Sequence, residues 1–354
     1  MNLDFSDDQK FLQDEARKFL TKEQALLRNR TVLEKNNKVD KDLWEKIVAL
    51  GWTGIRIPEE YNGLDLGHLE LCVIAEELGR FLAPVPFSSS VYLFTEAIIN
   101  YADDEIKSHF LPKLVSGEII GTIAVTEDLK APSENNILVT ENNGIINGKK
   151  IAVPDAEIST HSIVVCKCES GISLQLVDLS SPGVTIEQQE TIDDSRGHFL
   201  INFENVKSNL IGDKGNGWKS YETLINQAAV FFSYEQIGGS QATLDMAINY
   251  AKERYAFGRP IGSYQAIKHK LADMYIALTL AKSNCYYAAW ALSTNSSDFP
   301  SASATARVSA TKAYQLCSQE NIQTHGGNGF TWEYDCHMFY SCLLYTSPSP
   351  RDEQ

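Results

Sequence analysis

The sequence predicts an α+β fold in three parts: an N-terminal helical domain, a middle β-barrel or β-sandwich domain and a C-terminal four-helix-bundle domain. Three observations predict it. Apolar residues recur at three- and four-residue spacing over the first third of the chain. Near Gly121 the period changes to short β-branched runs broken by turn residues. From Trp218 onward the helical period returns in segments too long for one small domain. The expected boundaries are 1–120, 121–215 and 216–340, with 341–354 set apart as a tail.

In the first part, "SDDQKFLQDEARKFL" opens with Ser6 as an N-cap and places Asp7 and Asp8 in the first turn, where the helix dipole favours carboxylates. "KDLWEKIVALGW" and "HLELCVIAEELGRFL" carry the same amphipathic spacing. "GIRIPEEYNGLDLG" between them is a loop punctuated by Pro and Gly. In the middle part, "GTIAVTE", "GIINGKKIAVPD", "HSIVVCKC", "ISLQLVDL" and "GVTIEQQ" read as strands. In the last part, three long helical patterns begin near Ser220, Gln265 and Ala302.

Composition bounds the function. The 354 residues include 43% hydrophobic residues, enough for a sizeable core, and the formal net charge is −15. That charge argues against nucleic acid and anionic membrane as partners. No apolar run approaches a membrane span. The start lacks the basic and apolar regions of a signal peptide. Seven cysteines, at 72, 166, 168, 285, 317, 336 and 342, show no zinc spacing, and the chain reads as reduced and cytoplasmic. Cys166 and Cys168 would share one strand face, and packing explains them better than a metal.

Two interruptions of the helical pattern carry the chemistry. "ERYAFGRPIGSYQAIKHKLADM", residues 253–274, places Arg254 and Arg259 beside a Phe257-Gly258 turn. A guanidinium fork matches phosphate oxygens, and glycine lets backbone approach a ligand. "QTHGGNGFTWEYD", residues 323–335, ends a helix with Gly326 and Gly327 and follows with Phe330 and Trp332. Two glycine-bearing, aromatic-flanked breaks fit a phosphate-bearing, ring-containing cofactor. A plain helix break with surface arginines is the alternative. Neither stretch is a Walker loop or a dinucleotide fingerprint.

These two stretches resemble the C-terminal signatures of the acyl-CoA dehydrogenases, and the order helices, β domain, helices resembles that family's architecture along nearly the whole chain. The resemblance implies FAD held at a dimer contact. It implies that Arg254 reaches the FAD pyrophosphate of a neighbouring subunit, that Phe257 and Gln265 line the same cofactor, and that Gln323, Gly326 and Gly327 meet the adenosine end. It implies an acyl-CoA substrate that loses an α-proton to a carboxylate and a β-hydride to the flavin. It also implies an electron-transfer protein as acceptor and a homo- or hetero-oligomer, dimer or tetramer.

The sequence departs from the pattern in the middle domain. "VTEDLKAPSENN" keeps Thr126, expected to bind cofactor, and Glu127, but lacks the usual proline and small residues. "KKIAVPDAE" puts Ala152 where the family has Trp and Pro154 where it has Thr. Proline offers neither N–H nor hydroxyl. The changes resemble a bacterial branch of steroid and side-chain degraders, some of which work as unlike pairs. The catalytic carboxylate is also missing: most members of the family it resembles carry it beyond the glycine motif, near the C-terminus, and some on the long helix, where Ala228 stands here. Glu235 lies two turns later and reads better as a paired carboxylate at the core edge than as the base. Glu333 and Asp335 read as solvated carboxylates. Three functions follow: an FAD-dependent dehydrogenase acting as one subunit of a heteromer, a complete self-sufficient dehydrogenase, or a catalytically inactive structural partner. Finally, "CLLYTSPSPRD", residues 342–352, resembles a translated sequencing adapter. The expectation is a natural sequence cut near Tyr340, although a disordered tail would have the same Ser and Pro content.

Overall fold

A computed structural model describes residues 5–191 and 196–345. In chain order it contains α1 (Asp7–Lys22), α2 (Ala25–Glu34), α3 (Lys41–Ala49), α4 (His68–Arg80), a π-helical segment (Ser88–Thr95), α5 (Glu96–Tyr101) and α6 (Asp104–Val115). Strands β1 (Gly121–Ala124), β2 (Thr140–Asn142), β3 (Ile145–Pro154), β4 (His161–Cys168), β5 (Gly171–Asp178), β6 (Val184–Gln189), β7 (His198–Lys207) and β8 (Asn209–Ile211) follow. The chain then forms α7 (Gly217–Glu253), a short hairpin of β9 (Tyr255–Ala256) and β10 (Arg259–Pro260), α8 (Gln265–Ser293), α9 (Phe299–His325) and α10 (Cys336–Tyr345). The middle domain is thus a β-sheet between helical parts, as the fold class requires.

The capping chemistry at Ser6 is as the sequence predicts. Its hydroxyl accepts from the Gln9 N–H at 3.2 Å, and Gln9 Oε1 accepts from the Ser6 N–H at 3.0 Å. This reciprocal pair satisfies donors that the first turn leaves open.

The chain forms two compact units. One contains residues 32–67 and 84–228, and with them the whole eight-stranded sheet, ordered β6-β7-β3-β2-β4-β5-β8 with β1 parallel to β4. Its core is the apolar face of those strands, including Val153, Val164, Cys166, Phe199, Ile201 and Phe203. Inside it Lys150 is fully buried, and its ammonium donates to the Val125 carbonyl at 2.8 Å and to Glu127 Oε1 at 2.6 Å. Glu127 also accepts from the Leu138 and Val139 N–H groups at 2.6 and 3.0 Å. One ion pair therefore fixes the start of the 128–137 loop to β3.

The other unit contains the described residues 5–31, 68–83 and 229–345. Alanines line its most extensive helix contact: Ala281, Ala288 and Ala289 on α8 and Ala302, Ala306, Ala310 and Ala313 on α9 are all buried. Small side chains at helical spacing let two axes approach. The crossing of α4 and α7 needs glycine outright. A Cβ on Gly79 would lie 2.0 Å from the Glu235 carbonyl oxygen, and one on Gly238 would lie 1.9 Å from that of Glu76.

The helical backbone of α10 runs to Tyr345. Residues 346–354 of the expected foreign tail lie outside the described residues.

Candidate cofactor site

The two glycine-bearing motifs lie at helix ends in the same unit, joined by Tyr250. α7 ends at Glu253, and the Arg254 carbonyl accepts from the Ile261 N–H at 2.8 Å, closing the β9–β10 hairpin. Phe257 and Gly258 have φ of 52° and 82°. Positive φ at both central residues matches the twist of a tight hairpin, but it strains a bulky residue. The Phe257 ring is 99% exposed. Tyr264 braces the turn from below, donating its hydroxyl to the Ala256 carbonyl at 2.9 Å.

The structure separates the two arginines. The Arg259 guanidinium lies 3.9 Å from the Tyr264 ring centroid. The Arg254 side chain is exposed and makes no ion pair or side-chain hydrogen bond among the described residues. It is therefore the one available to an anion. Gln265 is exposed and begins α8, whose N-cap Tyr264 supplies no side-chain hydrogen bond. An uncapped helix start beside an unengaged guanidinium favours phosphate oxygens.

The second motif closes α9. Gly326 has φ 61° and ψ −136°, a conformation that glycine alone adopts without strain. A Cβ at Gly326 or Gly327 would meet nothing within 4 Å, so the backbone there is open. Gln323 is exposed one turn earlier. His325 stacks on Tyr250 at 4.1 Å between centroids, and Asn328 Nδ2 donates to the Tyr250 hydroxyl at 3.1 Å. Tyr250 lies one helical turn before Arg254, so a single ring holds both motifs. Sequence reading passed over Tyr250, and its spacing from Arg254 was the available signal. Burial lowers the His325 ring from its ordinary value of 6.5, while Nδ1 lies 2.9 Å from the Asn321 carbonyl oxygen.

In the β-sheet unit, Thr126 is half-buried and its carbonyl accepts from the Ile151 N–H at 2.8 Å. Ala152 has φ 51°, and its N–H donates to Gln189 Oε1 at 2.7 Å. That donor is engaged within the chain, and Pro154 has none to offer. The helical motifs fit a ring-bearing diphosphate, whereas β3 lacks the donors and the aromatic ring that would hold a flavin ring.

Two carboxylates are paired. Asp335 binds the Arg30 guanidinium, which corrects its reading as a solvated group, whereas Glu333 is exposed. Glu235 is buried and faces Arg307, whose guanidinium burial holds down to about 10 against the pull of that carboxylate. Ala228 is buried. All six described cysteines are buried and free. No helix among the described residues is long and apolar enough to cross a membrane.

The chain matches the family models "Acyl-CoA dehydrogenase, N-terminal domain" over residues 6–118 and "Acyl-CoA dehydrogenase, C-terminal domain" over 215–347. The second match passes Tyr340, and the two ranges flank the β domain. A probable acyl-CoA dehydrogenase of Bacillus subtilis, YngJ, is 30% identical over 94% of this chain and 92% of its own. A variant of the Tcur3481–Tcur3483 steroid ACAD superposes with a TM-score of 0.86 at 27% identity, covering 95% of this chain and 92% of that one. The ChsE4–ChsE5 complex of Mycobacterium tuberculosis shares the fold, with a TM-score of 0.89 at 24% identity over 98% and 94%. The chain belongs to the acyl-CoA dehydrogenase family. It is accordingly an oxidoreductase acting on acyl-CoA, with FAD as its redox cofactor.

Proposed function

We propose that the chain works as one subunit of a heteromeric acyl-CoA dehydrogenase, in which its helical motifs hold FAD while an unlike partner supplies the face against the flavin ring. The carrying observation is β3, where the Ala152 N–H is already bonded to Gln189 and Pro154 has no N–H. The steroid ACAD relative, named for two proteins, supports this arrangement. In the proposed roles, Arg254 and the start of α8 at Gln265 bind the pyrophosphate, and Phe257 covers the ring system beside it. Gln323, Gly326 and Gly327 receive the adenosine, and Thr126 lies on the β-sheet side of the cofactor. FAD would supply the acceptor for the β-hydride of the acyl thioester. The α-proton needs a carboxylate in a dry pocket, with donors to the thioester oxygen. With Ala228 in place of a carboxylate and Glu235 facing Arg307, the partner provides that base. An electron-transfer protein would reoxidise the flavin.

The same two features favour a second reading, a catalytically inactive subunit that folds and pairs only. Flavin absorbance against total protein, measured on the chain alone and with a candidate partner, tests both. The expected result is about one flavin per two chains in an active assembly. One flavin per chain in an active homodimer overturns the heteromeric reading, and an assembly whose flavin content and activity equal those of the partner alone supports the inactive one.

A further inference from the structure

A cavity of about 500 Å³ lies among α1, α4, α7 and α8, away from every cofactor candidate. That volume is within the range of small-molecule sites. Its α7 wall runs from Tyr234 through Ile237 and Gln241 to Asp245, about 16 Å of helix. The two ends of this groove differ in chemistry.

One end is aromatic. The Phe5 ring lies 5.0 Å from Tyr286 and 6.4 Å from Tyr234, centroid to centroid. The Tyr234 hydroxyl is buried and has no hydrogen-bond partner among the described residues.

The remaining wall carries Arg17, Lys282 and Arg80. Arg17 pairs with Glu77, Arg80 Nη2 lies 2.6 Å from Asp245, and Lys282 Nζ lies 3.6 Å from Glu76. Accessibility within these pairs is uneven. Arg17 and Lys282 are 41% and 39% exposed, whereas Glu77 and Glu76 are 0% and 9% exposed. Glu77 is shut off behind Arg17, whereas Glu76 lines the wall beside the more exposed Lys282. Lys282 also donates to Gln241 Oε1 at 3.0 Å, which turns its head toward the groove's middle. Two carboxylates line the groove, Glu76 at 9% and Asp245 at 39% exposure.

We propose that this groove is a second binding site, for a ring-bearing organic monocarboxylate. Its carboxylate lies on Arg17 and Lys282 and its ring on Phe5 and Tyr286. Charge-assisted contacts fix the head, and the aromatic end selects a flat or alicyclic body. None of the candidate cofactor residues lines it.

The test uses the flavin-loaded full chain with 3-(4-hydroxyphenyl)propionate as probe and the amide of that acid as neutral control, titrated by calorimetry. The expected result is saturable binding of the acid and binding of the amide weaker by about tenfold or more. Ser283→Trp, a substitution at an exposed position on the groove wall, should weaken the acid by at least as much, and Lys282→Met by about tenfold. Equal affinity for acid and amide on the unaltered chain overturns the proposal, as does the absence of saturation up to about 10 mM. Unchanged affinity in a folded Ser283→Trp chain, checked by circular dichroism, overturns it as well, because the probe then binds elsewhere. The acid–amide comparison needs no variant, so the proposal stays falsifiable if one of them fails to fold.

Discussion

Phe257 occupies a conformation that opposes its own chemistry: left-handed backbone and a ring in water. Left-handed backbone costs a side chain about 1–2 kcal/mol, which glycine avoids. Phe257→Gly should therefore leave the chain as stable or stabilise it by about 1 kcal/mol, while flavin retention falls. Arg254→Ala should weaken retention by about 1.5–3 kcal/mol without changing the unfolding midpoint, since its guanidinium makes no ion pair or hydrogen bond among the described residues. Flavin absorbance under limiting FAD, beside urea unfolding of each variant, checks both. Unchanged occupancy would remove these residues from the site. His325 makes a prediction of the opposite kind. Its folded-state pKa is below 6.5, so the unfolded chain holds the proton more tightly. The stability conferred by the neutral ring is complete above pH 6.5 and is lost as pH falls below it. Urea midpoints at pH 7.5 and 5 should fall more steeply for the native chain than for His325→Phe, which keeps a ring against Tyr250 and has no proton to gain.

Among the elements, the Lys150–Glu127 pair carries the sharpest consequence. Both side chains are almost wholly shielded, at 0% and 6% exposure. Breaking such a pair leaves an uncompensated buried charge, typically at a cost of about 3–5 kcal/mol. Lys150→Met should destabilise by about that much, read as a shift in urea midpoint at unchanged slope; a loss below about 1 kcal/mol would show the pair to be dispensable. This pair also marks where legibility ended. The cap at Ser6, the strand runs and both glycine breaks are local patterns, and the sequence displayed them. The partners of Glu127, Ala152, Glu235 and Asp335 lie 23, 37, 72 and 305 residues away. No periodicity encodes such separations, so Asp335 read as solvated although Arg30 holds it. The groove wall is the extreme case, since its residues come from segments as distant as Arg17, Glu76, Tyr234 and Lys282.

For the whole molecule, the exposed rings have a thermal consequence. Tyr255, Phe257, Phe330 and Trp332 are 63%, 99%, 77% and 59% exposed, all within the two motifs that the cofactor reading assigns to a contact. Covering apolar surface lowers the heat capacity, and its driving force near room temperature is entropic. Such an association weakens on cooling. The flavin-loaded assembly should therefore shed cofactor and dissociate in the cold, at temperatures where each chain remains folded. Sedimentation velocity at 4 and 25 °C, beside circular dichroism at both temperatures, would reveal it as a smaller, colourless and still helical species in the cold sample. An assembly equally intact at both temperatures would mean that charge and hydrogen bonds, rather than these rings, hold it together.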